Sequence, residues 1–280
     1  MKKHGTTILL ILIFVLGLGL LLYPTVSDWW NSRHQSKAIA SYSENVNSMK
    51  EEEKKDYISE ARRFNETLTK RAGYQFLSEN ELAEYKKVLD ITGTGIMAYI
   101  EIPSIDVSLP VYHTVSESVL QIAVGHIEWT SLPVGGKSTH CVLSGHRGLP
   151  SAKLFTNLDK LAVGDVFIIN TVGETFTYRV FEILIVEPED ISALAIEEGR
   201  DLCTLVTCTP FGVNTHRLLV RGERTDYEEA IVEVEEMEEA VDTQSAWTRQ
   251  YYRGILIGIA GLCFLLTIYG MIQTKGDGWS

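Results

Sequence analysis

Apolar residues along the 280-residue chain fall into three kinds of run, each with its own period. The first is unbroken. Residues 6–23 are eighteen in a row without a charge, mostly Leu, Ile, Val and Gly, and a helix of that length rises roughly 27 Å, enough for a bilayer core. Residues 254–272 repeat the pattern with nineteen uncharged residues. The second kind is helical. Residues 31–72 contain neither Gly nor Pro, and Met49, Tyr57, Ile58, Ala61, Phe64 and Leu68 recur as a stripe among Glu, Lys and Arg. That spacing predicts one or two helices with a solvated, charged face. The third kind is short and rich in β-formers. Strands are expected at 96–102, 107–112, 139–143, 166–171, 175–186, 202–207 and 215–221, with short helices at 116–123 and 152–158. Many short strands between Gly/Pro turns predict a mainly β domain, a barrel or a sandwich.

Charge arranges these runs into a topology. Lys2 and Lys3 precede the first apolar run and Lys275 follows the second; with two spans both ends lie on one side, and these lysines place that side in the cytoplasm. Arg249 and Arg253 weigh the other way. The first run is long for the apolar region of a cleaved leader and no A-x-A-like site follows it, so a retained anchor is expected. Trp29 and Trp30 come just after it, where indoles suit the headgroup layer. The expected order is 1–5 cytoplasmic, 6–23 membrane anchor, 24–93 helical extension, 94–224 β domain, 225–253 acidic linker, 254–272 second span and 273–280 cytoplasmic tail. The linker overlaps residues 223–242, which hold ten acids and one base; Ile231, Val234, Met237 and Val241 recur there at helical spacing. The net charge of −12 excludes a nucleic-acid partner as the main expectation. Four cysteines without C-x-x-C or metal-ligand spacing predict no metal and no cofactor.

The candidate chemistry lies in two strand ends. Thr204-Leu205-Val206-Thr207-Cys208-Thr209-Pro210 reads as a strand that must stop just past Cys208, because Pro210 donates no ladder bond and Gly212 and Asn214 suit a turn. The chain then returns through Arg217, nine residues after Cys208, and a fixed cation near a thiol favours its ionised form. Cysteine is also a common small core residue. The second strand end is Leu143-Ser144-Gly145-His146-Arg147-Gly148, where glycines leave the His146 imidazole uncrowded and able to donate and accept protons. The other six histidines read as structural or solvated. Cys203, five residues before Cys208, points to the opposite face of its strand. A Cys141–Cys203 disulfide is conceivable but not established by spacing. Cys263 falls in the second span.

Ser144-Gly145-His146-Arg147, Thr204-Leu205-Val206-Thr207-Cys208 and Arg217 together resemble the signature of the sortases, cysteine transpeptidases of Gram-positive cell surfaces. Residues 95–105, 149–155 and 218–223 are similar to the class C, pilus-assembling branch, and the resemblance covers about residues 24–224. It implies an eight-stranded sortase β-barrel flanked by N-terminal helices and a transmembrane helix at each end, with the barrel outside the cell. It implies Cys208 as nucleophile, His146 as proton donor and acceptor, and Arg217 as oxyanion or substrate stabiliser. The implied substrates are surface or pilin proteins with a Leu-Pro-x-Thr-Gly sorting signal, cut between Thr and Gly. The acyl group passes to a pilin lysine or a cell-wall amine. A membrane-tethered thiol hydrolase and a non-catalytic assembly scaffold are the alternatives. The family's lid uses an Asp-Pro-aromatic motif, which residues 70–80 lack; Tyr74 or Phe76 is the candidate plug of a lid, or the segment is a plain loop. No carboxylate near His146 in sequence suggests a papain-like triad.

Overall fold

In the computed structural model the strands close on themselves. The model describes residues 2–70 and 76–226, with Ile255 and Gly258; the lid candidate Tyr74, most of the acidic linker and nearly all of the expected second span lie outside the described residues. The chain divides into two units, Met1–Val234 and Glu235–Ser280, and the elements below belong to the first.

Eight strands form the wall: β1 (Ile96–Ile102), β2 (Val107–His113), β3 (Val124–His126), β4 (Thr139–Ser144), β5 (Val166–Thr171), β6 (Glu174–Val186), β7 (Asp201–Thr209) and β8 (His216–Arg224). Their order around the closed barrel is β1-β2-β3-β4-β7-β8-β6-β5. The β2–β3 and β4–β7 pairs are parallel and the rest antiparallel. Closure removes the unpaired strand edges that would otherwise invite other chains. β7 ends one residue past Cys208, before Pro210.

Alternation along the strands sorts side chains onto two faces. Cys141, Leu143, Cys203, Leu205, Leu218 and Val220 belong to the main core inside the barrel. Val142, Val206 and Leu219, of opposite parity on β4, β7 and β8, form a separate apolar strip on the outer face with Leu194. Helices α1 (Lys2–Ser48), α2 (Glu51–Thr69), α3 (Glu79–Tyr85) and α4 (Glu117–Leu120) complete the fold. The expected stripe is realised on α2, where Ile58, Ala61 and Leu68 are buried and Tyr57 and Phe64 pack beside them. Asn65, on the same face, bonds the Leu132 backbone in both directions, donating at 3.2 Å and accepting at 2.7 Å. α1 contains, by length and composition, a stretch able to cross a membrane, beginning at Thr7; its apolar side chains from Ile8 to Leu16 are exposed.

Three details differ from the sequence expectation. No α-helix forms at 152–158: Ala152 bridges Leu149, residues 154–157 make a turn, and Leu158 opens a single 3-10 turn, Leu158–Lys160. Leu154 takes a φ of 39°, outside helical geometry, and the buried Phe155 donates its N–H back to the His146 carbonyl at 3.1 Å. The helix expected at 116–123 is shortened to one turn, α4. The β3 strand is three residues long, too short for its alternation to register, and exists because it bridges β2 and β4.

Candidate active site

The parallel pairing of β4 and β7 brings the two sequence motifs to one end of the barrel. Ser144 pairs with Val206. Just beyond, Gly145 N–H donates to the Val206 carbonyl at 3.1 Å and the Thr207 hydroxyl donates to the Gly145 carbonyl at 2.7 Å. His146 and Cys208 are the next residues on each chain. On the other side of β7, Cys208 is the register partner of Arg217 on β8. The three residues picked from sequence therefore meet at one end of three adjacent strands, Cys208 on β7, Arg217 on β8 and His146 two residues past the end of β4. By parity Cys208 and Arg217 continue the outer face that carries Val206 and Leu219, while Cys203 is sealed in the core.

Each of the three is held differently. Cys208 is half-buried and a free thiol. Arg217 Nη1 donates to the carbonyls of Asn214 at 3.3 Å and His216 at 3.1 Å, which fold its head against the turn before β8. The His146 side chain is 28 % exposed, yet its Nε2 is buried and makes no hydrogen bond. Unmet buried polar atoms of this kind are uncommon in folded proteins. The Glu117 Oε2 of α4 stands 4.0 Å from that nitrogen. Its other oxygen accepts from the Gln121 amide. Sequence offered no signal for this carboxylate, 29 positions upstream of His146.

The loop that carries His146 is packed from both sides. Gly145 lies against the Phe155 ring so closely that an added Cβ would stand 2.7 Å from Cδ2. Arg147 forms an ion pair with Asp159, donates to Thr209 Oγ1 at 3.3 Å, and lies over the Phe211 ring at 5.7 Å. It thus links the His146 loop to the end of β7 and the β7–β8 turn.

Away from Cys208 the outer strip is roofed by the segment between β6 and β7, which contributes Ile191, Ala193 and Leu194. That roof is tied down by polar contacts. His140 bonds the Ala195 carbonyl through Nδ1 and Thr204 Oγ1 through Nε2, both at 2.7 Å. Burial lowers its pKa from 6.5 to about 4. Arg221 pairs with Glu182 and Glu197, and Arg200 with Glu197 and Glu223. Partial burial works to raise the Glu197 carboxyl, but the two guanidiniums outweigh it and hold it below the usual range.

Phe76, the described lid candidate, is 81 % exposed and meets Trp129 edge to face with ring centres 6.3 Å apart. Trp129 borders the apolar strip. Cys141 and Cys203 are register partners and both are free thiols, not a disulfide. Burial raises the Cys203 thiol well above its ordinary value.

The family profile described as the sortase domain matches residues 100–225. The crystal structure of sortase C1 from Streptococcus agalactiae is similar over 68 % of this chain and 98 % of that one, with 48 % identity and a TM-score of 0.66. Sortase C from Streptococcus pneumoniae shares 40 % identity over 68 % of this chain and 97 % of that one, with a TM-score of 0.62. Sortase D of Bacillus subtilis is 30 % identical over 129 residues, 45 % of this chain and 62 % of that protein's length, so the chain spans under two thirds of this curated relative. With nearly the whole of a class C sortase structure matched at 48 % identity, and the barrel and its three-strand end as described, the chain belongs to the sortase family of cysteine transpeptidases.

Proposed function

We propose that the protein is a membrane-anchored transpeptidase that cleaves a Leu-Pro-x-Thr-Gly-type sorting signal between Thr and Gly. It then joins the threonyl acyl group to an amine, a lysine of a pilin subunit in the reading favoured here. The supporting observation is the three-strand juxtaposition: Cys208 paired in register with Arg217, beside the strand that delivers His146.

The chemistry follows from that arrangement. The Cys208 thiolate attacks the Thr carbonyl carbon, and the charge that develops on the oxygen is met by the Arg217 guanidinium. The C–N bond to Gly breaks as His146 delivers a proton to the leaving amine, and an acyl thioester remains on Cys208. An incoming amine attacks the thioester carbonyl, loses its proton to His146 and expels the thiolate. The products are an amide and free enzyme, with no net redox change. α1, with its exposed apolar stretch, supports anchoring with the barrel outside the cell. The second span at 254–272 is part of the same proposal.

Trapping tests it. The full chain is incubated with a sorting-signal peptide and read by intact mass. The expected species is an acyl adduct on Cys208 that a supplied lysine amine discharges to amide. No adduct would overturn the reading. Discharge to free acid at full rate, whether or not amine is present, would make the protein a hydrolase instead.

A further inference from the structure

We infer that the part of α1 just past its apolar stretch is a positioning element for His146, acting through Asp28, Asn31 and Gln35. These residues are spaced three and four apart and so share one helix face. Each reaches across more than 80 positions of sequence to a backbone group of the site. Asp28 Oδ1 accepts from Lys153 N–H at 2.9 Å. Asn31 Nδ2 donates to the Ser151 carbonyl at 2.7 Å. Gln35, only 9 % exposed, donates through Nε2 to the Ile122 carbonyl at 2.7 Å.

The two segments so held are the two that border His146. Ile122 follows α4 directly, and α4 carries Glu117, the carboxylate facing His146 Nε2. Ser151 and Lys153 belong to the turns that leave His146 and return to it through the Phe155 N–H. All three hydrogen-bond targets are backbone atoms, so these bonds fix where the chain runs; Asp28 also meets the exposed Lys153 ammonium at 3.5 Å, a solvated ion pair worth little.

The same face continues to a fixed point on the barrel. Tyr42 and Val46 are buried against Ile96. The Tyr42 hydroxyl donates to the Met97 carbonyl and accepts from Val172 N–H, both at 2.9 Å. From Tyr42 back to Asp28 is fourteen residues, about 21 Å of continuous helix. α1 is therefore a strut, pinned to β1 at one end and bonded at the other to both sides of the histidine. None of the three polar side chains bonds Cys208, His146 or Arg217, so their effect on the reaction is through placement.

The inference rests on the transpeptidase reading for its first readout and is independent of it for the second. In detergent micelles, the full chain with Asn31→Ala and Gln35→Ala together is expected to lose about ten- to a hundredfold in kcat for peptide transfer, with KM held within about twofold. Its thermal midpoint should stay near that of the unchanged protein. Asp28→Ala should lower kcat in the same way, whereas Asp28→Asn, which keeps the acceptor for Lys153 N–H, should restore it. The second readout is the pH profile of Cys208 alkylation by iodoacetamide, which needs no peptide. The double variant should move toward the profile of His146→Ala. A wild-type chain that ignores the peptide would sink the functional reading and leave the alkylation profiles to decide this one. Profiles that superpose for the wild-type and double-variant chains, or a kcat that does not fall, would overturn it.

Discussion

Two histidines lie six residues apart on the chain, His140 within β4 and His146 just past its end, and they differ in what is left open. At His140 both ring nitrogens are committed, one to Ala195 and one to Thr204, and the neighbouring thiols of Cys141 and Cys203 are sealed in the core. At His146 a buried nitrogen has no hydrogen bond, and the thiol on the next strand, Cys208, is half-buried rather than enclosed. His126 and His113 are committed in the same way as His140: His126 bonds Tyr85 and the Ser131 carbonyl, and His113 bonds two carbonyls. The difference lies in whether the ring nitrogens are already bonded. His113, His126 and His140 are buried with both ring nitrogens bonded, which offsets the cost of burying them. His146, just past the end of β4, keeps a buried nitrogen without a hydrogen bond, and Cys208 stays half-buried within the β7–β8 ladder.

The largest effect tests the two thiols of β7 against each other. Cys208→Ala should abolish adduct formation with a sorting peptide and lower turnover by at least about 10⁴-fold. Cys203→Ala should leave turnover nearly unchanged and cost about 1–2 kcal/mol in chemical denaturation, from the small cavity it opens in the core. Reversal of these roles would break the distinction between inner and outer face on which the site assignment stands.

Next come the two partners of Cys208. His146→Ala should reduce kcat by about 10²–10⁴-fold, the usual worth of a placed proton carrier. Arg217→Ala should cost about 10²–10³-fold, as removal of one oxyanion donor does. In the same peptide assay His140→Gln should retain turnover, since its ring serves the roof of the strip and not the reacting atoms. Equal losses at His140 and His146 would mean that both act structurally.

Gly145 sharpens the contrast at a smaller scale. A Cβ there would lie 2.7 Å from Phe155 Cδ2 and 2.8 Å from Cγ, and Phe155 is fully buried with its N–H on the His146 carbonyl. The ring cannot retreat without moving the histidine's own peptide. Gly145→Ala is therefore expected to lower kcat about tenfold. Phe155→Leu in the same chain, by clearing the clash, should recover part of it. A Gly145→Ala variant with unchanged kinetics would show that the His146 loop tolerates displacement.

Much of this arrangement is legible in the sequence, and the rest is not for identifiable reasons. Pro210 fixes the end of β7, and the β-rich runs on either side of the turn make Arg217 return beside Cys208. The odd spacing of Cys203 and Cys208 separates core from surface thiol. What escapes is whatever depends on contacts distant along the chain. β3 is three residues long and is specified by its neighbours rather than by its own pattern. No α-helix forms at 152–158 because Phe155 is recruited to Gly145 and His146. Glu117 reaches His146 only through the placement of α4. Asn65, a polar residue on an otherwise apolar helix face, has no visible purpose until Leu132 is set against it. Tyr74, one of the two lid candidates, lies outside the described residues, and Phe76 meets Trp129 at the border of the strip.

The last effect bears on stability rather than rate, and it concerns pH and belongs to His140. Burial holds His140 near pKa 4, below its ordinary 6.5, so the unfolded chain binds a proton there at a pH where the folded chain does not. Stability from this residue is then complete above about pH 6.5, falls as pH drops toward 4, and is fully lost below it. The total is about 3 kcal/mol by linkage, an order-of-magnitude figure. His113, also lowered by burial, adds to the slope with the same sign, so the contribution of His140 is read as a difference. Urea denaturation of wild type and His140→Gln at several pH values between 7 and 4 should give curves that converge as the pH falls, with the variant losing less stability over the interval. Parallel curves would mean that burial does not hold His140 neutral. The contrast between a committed and an uncommitted imidazole would then have to rest on His126 and His113 alone.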